Sequence, residues 1–310
     1  MTCMKQVLEI FDLLDDPQIS GEQVKEFFNT YKIEKIEVTT ITGPKGKTDL
    51  LKIIIPGKNG KENGGTAPTL GVVGQLGGIG ARPDIIGMVS DADGAIVALT
   101  SALKLGIAHK RGDIAEGDVV ITTHIAPDAP THPHKPVPFM GSPVGILDVL
   151  KQAVDPRMDA LLSVDATKGN RVINVPGFAI TPTVKDGWIL KISDDLINIY
   201  ERVTGDFVAV VPITMQDITP YGNKVYHINS LMQPWLMTSV PVVGVALTAR
   251  VPVAGSGTGA NYVMGLDLAT KFCVEVVKDF TSRLCQFYNT EEFEILKSRY
   301  GEMGPILRQF

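Results

Sequence analysis

Seven side chains between positions 91 and 165 combine the residue types and spacing that metal or acid–base chemistry needs. They are Asp91 and Asp93, His124, Asp128, His132, His134 and Asp165. Neutral imidazoles and carboxylates form the ligand set of zinc, manganese or iron. A water bound to such a cation becomes a nucleophile near neutral pH. Each of the seven follows, or sits beside, a short apolar run of the kind that makes a buried strand. Ligands in open α/β sheets bind outside the carboxyl ends of strands, so the expectation is that these groups meet at one rim. Simpler roles compete: Asp91 or Asp93 as a helix N-cap, His132 and His134 as solvated loop histidines, Asp165 as a turn cap.

Two glycine loops suggest an anion site. The first, Gly74-Gln75-Leu76-Gly77-Gly78-Ile79-Gly80, follows the apolar run Leu70–Val73. The backbone can turn freely there and approach a ligand closely. It lacks a strict G-x-G-x-x-G pattern, and the seven residues between Gly80 and Met88 leave no room for a crossover helix, which argues against nicotinamide binding. The second, Gly255-Ser256-Gly257-Thr258-Gly259-Ala260-Asn261, leads into a long helix whose N-terminus favours anions. Gln75, Gly77, Gly78, Ser256, Gly257 and Thr258 are the candidate substrate- or anion-binding residues, with a plain surface loop as the simpler reading of the second.

The elements that position these groups alternate. Helices are expected at 4–15, from Ser20 (a capping box with Gln23), after the Ser90–Gly94 junction through Ile96 to about Leu105, at 145–153, after Asp194/Asp195 to Val203, within 228–237, and from about Leu266 to Phe287, with a short one closing the chain. Strands are expected at 36–42, 50–55, 70–73, 119–123, 160–164, 177–184, 188–192, 207–214 and 240–247, the pair 177–184 and 188–192 as a hairpin. This order favours a layered α/β sheet over residues 1–310, with 1–33 a helical segment packed on it.

The chain has 310 residues, 44% hydrophobic and 20% charged, enough for a sizeable core. A net charge of −5 argues against general nucleic-acid binding. The lack of an 18-residue apolar run argues against a membrane span. The first 17 residues lack a secretory pattern, and three cysteines without CxxC spacing point to a reducing, cytoplasmic compartment without a structural zinc cluster.

The glycine block 71–80, Ser90-Asp-Ala-Asp-Gly94, the loop His124–Pro136 and Leu162-Ser-Val-Asp-Ala166 resemble the prokaryotic domain-of-unknown-function family 1177 over nearly the whole chain. The order of elements is remotely similar to the two-zinc aminopeptidases. That resemblance implies a three-layer α/β/α mixed sheet of the zinc-exopeptidase type. It matches Asp91 to the bridging Asp and Asp165 to a Val-Asp ligand. Gln75 stands where the first His would be and Gly77 where its Asp would be. His124 and Asp128 replace a Glu pair, and the late His has no counterpart. The expected function is therefore a metal-dependent hydrolase of a small amide or peptide with a rebuilt site. Its metal, zinc first, would be held by Asp91, His124 and Asp165 with His132 or His134. Asp93 or Asp128 would be the general base. A non-catalytic anion-binding protein and an oligomeric structural subunit are the alternatives, and a homo-oligomer is expected.

Overall fold

The computed structural model describes residues 2–75, 78–79, 87–90, 92–126, 129–132, 139–167, 169–228, 230–251 and 262–308, with backbone alone at 78–79, 89–90, 131–132 and 139–140. Two amphipathic helices open the chain, α1 (Met4–Leu14) and α2 (Gly21–Thr30). The Ser20 hydroxyl accepts from Gln23 N while the Gln23 side chain accepts from Ser20 N, the expected capping box. The hairpin β1 (Ile36–Gly43) and β2 (Gly46–Ile55) follows, then β3 (Leu70–Gly74), and short β4 (Gly78–Ile79) and β5 (Met88–Ser90), which pair with each other. The 18-residue helix α3 (Asp93–Lys110) leads to β6 (Val119–Ile125). A two-stranded ribbon, β7 (Thr131–His132) and β8 (Phe139–Met140), precedes α4 (Ile146–Ala153) and β9 (Ala160–Ala166). Then come β10 (Gly177–Ile180), β11 (Val184–Lys185), β12 (Trp188–Ile189), α5 (Asp194–Thr204) and β13 (Val242–Thr248). Three helices close the chain: α6 (Val263–Thr281), α7 (Thr290–Tyr300) and α8 (Gly304–Leu307).

Among the described residues the principal sheet has nine strands in the order β1-β2-β6-β3-β9-β13-β11-β12, with β10 also on β13. The centre, β6-β3-β9-β13, is parallel, and antiparallel strands flank it on both sides. The four central strands are buried along their length, as a sheet covered on both faces requires. Alternation sorts their side chains. Val72, Ile121, Leu162 and Val245 join the core under α1, α3, α5 and α6. Val73, Val120, Leu161 and Ala246 face a second core that includes Ala153 of α4, Leu231 and Trp235.

Several expected elements differ. The hairpin is β11–β12, because β10 pairs with β13 instead. Segment 207–214 carries only a bridge between Ile180 and Val210, and 228–237 holds a short 3-10 turn, Gln233–Met237. The long helix ends at Thr281, after which Cys285 and Phe287 turn back into the core. Asp194 and Asp195 lie in the first turn of α5, whose N-cap is Ser193.

One contact fixes how close α3 comes to the strand ends. A Cβ on Gly94 would lie 2.3 Å from Gln75 O and 2.5 Å from Val164 O, and one on Gly74 would lie 2.2 Å from Gly94 O. No other residue type fits either position. In an ordinary helix Gly→Ala gains about 1 kcal/mol. Gly94→Ala is expected instead to destabilise by about 2 kcal/mol or more through overpacking against backbone, read as a lower urea midpoint at unchanged slope.

Candidate functional site

Three of the expected residues fall in one row. Val73 of β3 is level with Thr122 of β6, and Gly74 is level with Val164 of β9. Two residues beyond Val73 and one beyond Gly74 stands Gln75, whose N–H continues the ladder to Val164 O at 2.8 Å. His124, Gln75 and Asp165 are therefore adjacent across the carboxyl ends of three parallel strands. Each shares the parity of side chains facing the second core, so all three project from the same face. At a strand spacing of about 4.8 Å, the Cα atoms of His124 and Asp165 are roughly 10 Å apart.

His124 is 2% exposed. Its Nδ1 lies 2.8 Å from Thr48 Oγ1, and Thr48 Oγ1 donates to Ile125 O at 3.0 Å. A hydroxyl has one proton. If Thr48 gives it to the carbonyl, it must accept from His124 Nδ1–H. The tautomer assigned by this network leaves Nε2 as a bare lone pair, and that buried nitrogen has no hydrogen-bond partner among the described residues. Burial pushes the imidazole down to about 4 from 6.5, so it is neutral at pH 7. A neutral imidazole with a free nitrogen is chemically fit to accept a proton or bind a cation.

Asp165 is 3% exposed. Its Oδ1 accepts from Ala166 N at 2.8 Å and its Oδ2 accepts from Ser230 Oγ at 2.5 Å. Two donors favour the carboxylate form. The Tyr221 hydroxyl pairs with Ser230, and burial and then the nearby Asp165 carboxylate raise its pKa above the ordinary phenol value. The His227 ring lies 4.5 Å from that of Tyr221. Thr48, Ser230 and Tyr221 carried no signal in the sequence: all come from distant segments that only the fold brings to the row.

Gln75, expected to bind substrate, has a structural duty. Its Nε2 shares its two protons among Ser163 Oγ (3.0 Å), Ser230 O (2.9 Å) and Leu231 O (3.2 Å), tying β3 to β9 and to the segment that supplies Ser230. Asp93 is wholly buried in the first turn of α3, where the helix dipole favours a carboxylate. The Gly94 contact brings it to the same end of the sheet from the other layer. Gly78 is in β4 and His132 in β7, both with backbone alone described. Asp91, Asp128, His134, Gly77, Ser256, Gly257 and Thr258 lie outside the described residues.

A cavity of about 90 Å³ opens beside His124, between the ends of β3 and β6 and helix α4. A larger one, about 370 Å³, lies at the starts of α5 and α7 near Asp194, Asp195 and Glu292, and none of the expected site residues line it. Cys3, Cys273 and Cys285 are buried free thiols, with pKa values that burial pushes up to about 11, 12 and 12, which removes them as nucleophiles. Among the described residues no three His, Cys, Asp or Glu side chains group closely enough to hold a metal. The donors of His124 and Asp165 suit one chemically. No helix among the described residues is long and apolar enough to cross a membrane.

Residues 39–309 match the family described as protein of unknown function DUF1177. The chain belongs to that family. No curated protein matches it. Among solved structures, the tomato leucine aminopeptidase, in a mutant form, is similar at a TM-score of 0.50 and 12% identity, over 87% of this chain and 60% of that one. The Legionella pneumophila LapA aminopeptidase matches at a TM-score of 0.48 and 11% identity, over 91% of this chain and 70% of that one. An Acidobacteriales bacterium glutaminyl cyclase matches at 0.47 and 11%, over 91% and 94%. The likeness to the tomato enzyme is one of fold: a large mixed α/β sheet with helices, as the sequence resemblance implied.

Two outcomes are expected here. Because the folded pKa of His124 lies below the unfolded value, the unfolded chain binds the extra proton between pH 6.5 and about 4. Stability therefore falls as pH drops through that window, by on the order of 3 kcal/mol. Urea unfolding across pH 4–7 should show this slope, reduced in His124→Gln. Separately, Gln75→Leu leaves buried carbonyls unpaired and should cost about 1–3 kcal/mol, measured as a lower unfolding midpoint.

Proposed function

We propose that the row His124–Gln75–Asp165 is the floor of a hydrolase active site acting on a small amide or peptide. The observation that carries this reading is a neutral imidazole with an unpartnered buried nitrogen in the same row, and on the same face, as a hydrogen-bonded carboxylate. His124, Asp165 and Asp91, with His132 or His134, would hold a divalent cation, zinc first. When bound, it supplies an activated water and polarises a carbonyl.

The chain's own residues then have distinct duties. Thr48 sets the His124 tautomer, so that Nε2 and not Nδ1 faces the chemistry. Ser230 and Ala166 N–H hold the Asp165 carboxylate in one orientation. Gln75 ties β3 to β9 and to the segment that carries Ser230, and itself stays out of the reaction. Asp93, or Asp128, accepts the proton released by the attacking water. The likeness to aminopeptidases supports the fold on which this reading is built. The losses from the two-zinc pattern at Gln75 and Gly77 argue for a single cation.

Elemental analysis of protein purified without chelator is expected to find near-stoichiometric zinc or another first-row metal. Ammonia or amine release from small amides and dipeptides should fall to background in both Asp165→Asn and His124→Gln, with metal content reduced in parallel. A metal-free protein whose melting temperature no divalent cation raises would overturn the reading.

A further inference from the structure

The cavity beside His124 is built for something smaller than an aromatic ring. Its volume is about 90 Å³. An engineered apolar cavity of roughly 150 Å³ accepts benzene, so this one accepts a branched aliphatic group of three or four carbons and excludes a phenyl ring. Its walls are mainly apolar: Val73, Ile146, Val149, Leu150 and Ala153 line the space, and His124 stands at the rim of strands. The wall is rigid. Thr122 Oγ1 donates to Ala153 O at 2.8 Å, pinning the C-terminal end of α4 to β6, and Ala153 and Leu150 are 4% and 2% exposed. Gln75, Thr123 and Ser142 also line it, and the His124 imidazole, 2% exposed, is the lining group whose buried Nε2 has no partner among the described residues. A purely structural cavity in a core needs no bare nitrogen at its edge, since a buried acceptor without a donor costs free energy.

We infer that this cavity is the specificity pocket of the site, taking a small branched aliphatic group whose polar end lies toward His124. The inference rests on the hydrolase reading for the identity of the occupant as part of an amide substrate. The pocket itself is defined by shape and apolarity alone. It sets a size rule: a valine- or leucine-like group enters, a methyl group underfills the space and an aromatic group does not fit.

Binding of three amides that share one head group tests it by saturation-transfer NMR on the full chain: acetamide, isobutyramide and benzamide. Isobutyramide should bind most tightly. Acetamide, with two carbons fewer, should bind roughly ten-fold more weakly, and benzamide should not compete. Leu150→Ala enlarges the pocket and should let benzamide in. Ala153→Leu fills it and should abolish isobutyramide binding. Equal binding of all three amides by the natural chain, which needs no variant to fold, overturns the inference, as does isobutyramide binding unchanged by Ala153→Leu. Size-selective binding without hydrolysis of any amide would overturn the proposed activity and leave the pocket standing. Hydrolysis with no preference among aliphatic and aromatic amides would overturn the pocket and leave the activity standing.

Discussion

The backbone-to-backbone approach of α3 to the ends of β3 and β9 is the constraint on which the rim depends. Helices usually pack on sheets through side chains. Here Gly74 and Gly94 remove them, and a carbonyl of the helix sits where a Cβ would otherwise stand. The helix start is thereby held against Gln75 and Val164. β3 ends at Gly74, its last ladder bond made by Gln75, and Asp93 is delivered to the strand ends from one layer while His124 and Asp165 face the other. A helix set further out would leave Asp93 away from the strand ends.

On the opposite face, α4 packs beside His124, and the row itself is buried. Excluding water at the row makes charge costly, and the two key groups respond in opposite ways. His124, given a neutral hydroxyl partner, stays uncharged. Asp165, given an amide and a hydroxyl donor, is stabilised as an anion. Burial pushes His124 toward neutrality, while Asp165 accepts from two donors of the kind that favour a carboxylate. Gln75 between them shares its two amide protons among a hydroxyl and two carbonyls. It does so without adding a charge that would shift either neighbour.

The parallel strands were legible because continuous Val/Ile/Leu runs have few alternatives. The placement of His124 and Asp165 at strand ends followed from where those runs stop. What the residues could not disclose was long-range. Thr48 and Ser230 stand 76 and 65 positions from the side chains they serve, in segments with no chemical signature. Gln75 read as a lost ligand because it occupies a ligand's place in the resembling enzymes. Its real partners lie 88 to 156 positions away. The segment 207–214 read as a strand on β-branched content, yet β13 was already paired on that edge by β10 and β11, leaving it a single bridge. Tertiary competition for a sheet edge is not written in local propensity.

The central claim is that His124 presents a bare Nε2 to the same site that Asp165 serves. Histidine ¹⁵N spectra of the full chain at pH 7, assigned by comparison with His124→Gln, test it directly when followed through a zinc titration. The account predicts an unprotonated Nε2 resonance for His124 that moves on adding zinc, together with the Ala166 amide that hydrogen-bonds to Asp165. A protonated Nε2, or zinc that shifts one of these signals and leaves the other still, would contradict it.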